Sequence, residues 1–106
     1  MANYELTKAA DQDLKDIAGY TISKWGPNQA VRYGAFLEAH FDAIGAGKAR
    51  SRIFLRHRPE LRVSRARHHY VFQLKRENHS PLILAVFHEH MDLMTRLVLG
   101  WKIDGI

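Results

Sequence analysis

The stretch LAVFHEHMD, Leu84 to Asp92, sets two histidines two residues apart, with one carboxylate between them and another two residues on. On a strand, His88 and His90 would share a face, and Asp92 would join them if the strand continued. Imidazole nitrogen with carboxylate oxygen suits zinc, nickel or iron(II). A catalytic zinc needs at least three protein ligands, however, and the pattern is not HExxH, because the fourth residue after His88 is Asp92. The chain holds 7 His, so a pair at this spacing is unsurprising. Asp92 also sits where a following helix would want its N-cap. No metal is expected here. His88, His68 and His69 have the side chain for acid–base work near neutral pH, and each could equally pack at a strand end and hydrogen-bond the backbone.

The second chemical feature is charge. The chain carries a formal net charge of +5, and the bases are concentrated. Lys48, Arg50, Arg52, Arg56, Arg58, Arg62, Arg65 and Arg67 fall in one stretch with Glu60 as the only acid. Such a concentration is self-repelling and favours an acidic partner: nucleic acid, an anionic surface or an acidic protein. Cysteine is absent, which removes disulfides, thiolate metal sites and thiol nucleophiles. No apolar run approaches the roughly 20 residues that span a bilayer, and the start MANYELTKAADQDL has no signal pattern. A single cytoplasmic domain over residues 1–106 without membrane contact is expected.

These side chains need a scaffold, and the periodicities supply one. Tyr4 and Leu6 suggest a brief strand. Thr7 is an N-cap candidate, with Asp11 and Asp13 near the positive end of the helix that it would start. Ala10, Leu14, Ile17, Ala18, Thr21 and Trp25 recur at helical spacing, and Gly26-Pro27 ends that helix and starts another. Ala30, Tyr33, Leu37, Phe41 and Ile44 form its apolar stripe, which Gly45 and Gly47 close. Residues 47–59 have no clean period and read as a loop. From Glu60 the period becomes two, with Leu61 and Val63, then Tyr70, Phe72 and Leu74. RENHSP, residues 76–81, is a polar turn. LILAVFHEH reads as a central strand, and Met91, Met94, Leu97, Val98 and Trp101 return to helical spacing. The expected fold is α+β, an antiparallel sheet packed against an N-terminal helical hairpin, in the order β-α-α-β-β-β with a short C-terminal helix.

Several pieces in order resemble a known family. AADQDLKDIAGYTISKWGPNQAVRY, then RPELRVSRARHHYVFQL, then FHEHMD with His88, Met91 and Asp92 on a signature LHxxMD, together look like a ParE toxin of the RelE/ParE superfamily. The likeness runs over about residues 4 to 94. Two positions depart from the family's habit: Ala85 stands where an arginine is frequent, and Gln73 where a tyrosine often ends the aromatic strand.

The resemblance implies the toxin of a type II toxin–antitoxin pair, which poisons DNA gyrase and is neutralised by a ParD-like antitoxin in a hetero-oligomer. It implies no cofactor and no catalytic residue, since poisoning requires only a surface that prefers the cleaved gyrase–DNA state. Leu14, Trp25, Tyr33 and Phe36 are the expected apolar contacts of an antitoxin helix, and Arg56, Arg58, Arg62, Arg65 and Arg67 would anchor its acidic tail. Arg58, Arg62, His88, Met91 and Asp92 are the expected target contacts.

A RelE-like endoribonuclease acting on ribosome-bound messenger RNA is the first alternative. Its cations would be arginines such as Arg62 and Arg65, and its proton-transfer groups His69 and His88. The C-terminal tyrosine typical of many such nucleases is missing, the last tyrosine being Tyr70. A basic binding module without toxicity is the second, in which HHYVF could stack on bases, although Tyr70 and Phe72 also alternate as ordinary sheet packing does.

Overall fold

Thr7 begins the first helix as a proper cap and does more besides. Its Oγ1 accepts the Ala10 N–H at 3.0 Å and donates to the Leu84 carbonyl at 2.9 Å. One hydroxyl therefore fixes both the start of a helix and its place on the sheet. The computed structural model describes residues 3–89. Its elements are β1 (Glu5–Leu6), α1 (Lys8–Trp25), α2 (Pro27–Gly45), β2 (Arg52–Leu55), β3 (Arg58–Ala66), β4 (His69–Leu74) and β5 (Leu82–His88). Gly26 separates the helices with φ 92° and ψ 167°, a region essentially reserved for glycine, and Pro27 opens α2 where its missing N–H costs nothing.

The five strands lie in the order β1-β5-β4-β3-β2. The helical hairpin packs on one face. There Leu37, Phe41 and Ile44 from α2 and Ala10 from α1 meet Ala66, Val71, Ile83 and Val86 of the sheet. Tyr4 stands edge-on to Phe41 at 5.4 Å. His40 reaches down from α2 to the Ser64 hydroxyl, with Nε2 and Oγ 2.8 Å apart. The opposite face holds Val63, Phe72, Ala85 and Phe87 with Phe54, Tyr70 and Leu84 against them. The α+β class and the hairpin-on-sheet architecture are as the periodicity predicts.

Two features differ from the expected topology. The stretch 47–59 is not all loop, because it contains β2 and the first residues of β3. Arg52 and Ile53 are exposed, so burial leaves little alternation in β2 to read. The sheet is also mixed, since β1 runs parallel to β5 through Glu5↔Leu82 and Leu6↔Ile83. The strand itself is legible at Tyr4 and Leu6, but the direction of its pairing with a strand more than 70 residues away has no local signature. The expected C-terminal helix lies outside the described residues.

An irregularity between β4 and β5 decides which side chains of β5 face the helices. The register shifts there: Phe72 faces Ala85 while Gln73 faces Ile83, so Leu84 is an extra residue. Strict alternation from Ile83 would send Val86 and His88 away from the helices. The bulge reverses this phase, and Val86 joins Ile83 in the core under the hairpin. Its loosened backbone is held from α1. Leu84 C=O accepts from Thr7, and the Val86 N–H donates to Asp13 Oδ2 at 3.0 Å in a buried bond. Asp13 thus has a partner in the sheet, a role beyond the helix-dipole placement that sequence position suggests.

Candidate partner-docking cleft

The reversed phase brings His88 directly opposite His69, on the side of the sheet that faces the helices. Their rings are 5.1 Å apart and nearly perpendicular. His69 is 7% exposed. Its Nδ1 lies 2.5 Å from the Tyr33 hydroxyl of α2, which also reaches the Ala66 carbonyl at 3.4 Å. Burial, and then the neighbouring His88 and His68, push the His69 imidazole down to about 4. It is therefore neutral at neutral pH and can accept from Tyr33, whose phenol burial pushes upward and so keeps protonated.

These groups form the floor of a cleft of about 600 Å³ between the hairpin and the β4–β5 end of the sheet. Its helical wall is Asp16, Ile17, Tyr20, Trp25 and Gln29. Trp25 is 68% exposed and Tyr20 60% exposed, a large apolar area to leave in water. At the rim, Glu89 accepts from Arg65 at 2.5 Å and meets His68 Nδ1 at 2.7 Å. Arg65 also donates to the Arg67 carbonyl at 2.9 Å and to the Tyr70 hydroxyl at 3.2 Å. Arg67 and His68 are the two loop residues of the β3–β4 hairpin. Arg67 adopts φ 53°, a left-handed value more natural to glycine or asparagine, and holds its guanidinium 4.2 Å from the centre of the Phe36 ring.

The residues singled out from sequence divide accordingly. Trp25, Tyr33, His69 and His88 line the cleft. Leu14 and Phe36 are half-buried and pack on the core beside it. Arg65 and Arg67 lie at its rim. Arg62 does not: its Nε donates to Ser51 Oγ at 2.7 Å and its Nη2 to Ser51 C=O at 2.8 Å, tying β3 to the segment before β2. Arg58 pairs with Glu60, and that hydrogen bond holds the Glu60 carboxyl below its usual range. Arg56 is exposed. Met91 and Asp92 lie outside the described residues.

A nuclease would need His69, His88, Arg62 and Arg65 around one phosphate. Here the histidines converge, Arg65 is engaged by Glu89, and Arg62 points to another part of the sheet. Among the described residues no group of three or more His, Asp or Glu could hold a metal, and no helix is long and apolar enough to cross a membrane. Asp13, Asp16 and Tyr20 line the cleft, and Glu89 stands at its rim, without having been singled out as site residues. Their signal, where there is one, is an aromatic side chain on the helix with no core to enter, as at Tyr20.

The architecture has a solved counterpart. A chain of the "Chromosomal ParDE TA system from P. aeruginosa" superposes with a TM-score of 0.68 over 83% of this chain and 96% of its own, at 16% sequence identity, which establishes a shared fold. The class is therefore that of a small helical hairpin packed on a sheet. Sequence narrows it. The family described as "ParE toxin of type II toxin-antitoxin system, parDE" matches residues 4–93. The Toxin ParE of Escherichia coli is 43% identical over 97 residues, covering 92% of this chain and 94% of that protein. The chain belongs to the ParE toxin family of type II toxin–antitoxin systems.

Proposed function

We propose that this toxin acts in the cytoplasm as a poison of DNA gyrase, and that a ParD-like antitoxin neutralises it by laying a helix into the cleft. The observation that carries the antitoxin reading is the open apolar wall. Trp25 and Tyr20 expose most of their surface beside a cleft of about 600 Å³, a shape suited to the apolar side of an amphipathic helix. The exposed guanidinium of Arg67 at the rim supports an acidic continuation of that partner. Gyrase as target is supported by membership of the family.

The test is a purified gyrase assay scored for lost supercoiling and for trapped double-strand breaks. Breaks that rise with toxin and disappear on adding the cognate antitoxin are expected. Protein that is toxic in cells but leaves gyrase untouched at several-fold molar excess would overturn the gyrase target. Binding of the antitoxin that is indifferent to Trp25→Ala would overturn the cleft as its seat.

A further inference from the structure

The edge of the sheet remote from the cleft carries a second surface. β2 is the terminal strand, and among the described residues nothing pairs with its outer edge. An edge strand presents a row of backbone N–H and C=O groups ready to accept another strand. Around it stand Lys48, Arg50, Arg52 and Arg56, all exposed. Among the described residues none of the four takes part in an ion pair or side-chain hydrogen bond, whereas Arg58, Arg62 and Arg65 in the same basic stretch are each engaged. Ile53 stands among them at 50% exposure. Arg52 and Ile53 lie on β2 itself, Lys48 and Arg50 precede it and Arg56 follows it, so free cations, an unpaired backbone edge and an exposed apolar side chain coincide along this strand and its flanks.

From this we infer that β2 is a docking edge for an acidic extended polypeptide, which adds to the sheet as a sixth strand beside β2. A second copy of this chain is the wrong occupant. Pairing β2 with itself would bring Arg50, Arg52 and Arg56 against their own counterparts, and like charges across a strand pair are destabilising. The same charges that guard the edge against self-association select a partner rich in Asp and Glu. A nucleic-acid strand could use the cations, but it would leave the strand's amides and Ile53 unused. The acidic polypeptide satisfies all three. This contact is separate from the cleft and does not depend on which enzyme the toxin poisons.

The experiment uses the whole protein and a synthetic nine-residue peptide alternating Asp or Glu with Val. Binding should slow hydrogen exchange and shift the amide resonances of residues 52–55. It should weaken with salt and fall at least about tenfold in an Arg50→Glu/Arg52→Glu variant whose circular dichroism is unchanged. The same peptide N-methylated at alternate residues keeps its charge but cannot pair, and should also bind at least about tenfold more weakly. Equal binding of the N-methylated peptide would reduce the contact to simple charge attraction and overturn strand addition. Resonance shifts confined to the cleft would overturn the location. Equal competition by a single-stranded oligothymidylate of matched charge would replace the polypeptide with nucleic acid.

Discussion

Acidification should weaken this protein through His69, and by an amount the structure sets. The imidazole titrates at about 4 in the fold, against an ordinary 6.5, because it is buried and faces two other histidines. Below pH 6.5 the unfolded chain takes up a proton that the folded chain refuses, so stability falls as pH drops, until the folded His69 itself protonates near pH 4. A depression from 6.5 to about 4 is worth roughly 3 kcal/mol at 1.36 kcal/mol per pH unit, of which about 2 kcal/mol should be lost between about pH 7 and about pH 4.5. His40, which burial also depresses, adds in the same direction. Urea denaturation at a series of pH values, for the parent and for His69→Gln, isolates the contribution. The variant should be less stable at neutral pH yet lose about 2 kcal/mol less on acidification. A His69 resonance titrating at or above about pH 6, or identical pH slopes for the two proteins, would refute the reasoning, because either means that the Tyr33–His69–His88 cluster is not dry.

Three further outcomes rest on single residues. Gly26→Ala forces a Cβ into φ 92° and ψ 167°, and should cost about 1–3 kcal/mol by chemical denaturation while leaving the β-sheet signal intact. Gln73 is 7% exposed and its Oε1 has no hydrogen-bond partner among the described residues, so Gln73→Leu should raise stability by about 1 kcal/mol, or roughly 4–8 °C in Tm. Trp25→Ala removes an exposed ring rather than a core one. It should change folding stability by no more than about 0.5 kcal/mol but weaken calorimetric antitoxin affinity by about 2 kcal/mol or more.

The parts of the fold legible in the chain were those with local causes. Thr7, Gly26-Pro27 and the stripe Leu37, Phe41, Ile44 act within one or two helical turns, and the structure uses them as their types suggest. The alternation of Val71 and Phe72 between the two faces of β4 is equally local. What escaped was non-local or unburied. β2 has exposed positions and four residues, the parallel pairing of β1 rests on a strand at the far end, and Asp13 accepts from an amide 73 residues away. The site was half visible for the same reason. The type of His69, His88 and Trp25 marks them as candidates, but only the register of β5 says which of them meet, and only the hydrogen bonds to Ser51 separate Arg62 from the rest.

The extra residue at Leu84 also makes β5 and the start of α1 answerable to each other. A strand's phase is an all-or-none property: delete one residue before His88 and every later side chain of that strand changes sides. Here the phase is stabilised by Thr7 and Asp13, the opening of the protein's first helix. A toxin altered at its beginning could thus fold and yet present the wrong face near its signature histidine. Loss of toxicity in variants at positions 7 or 13 would then be a change of orientation, not of chemistry, and insertions or deletions near residue 84 would be tolerated only in pairs.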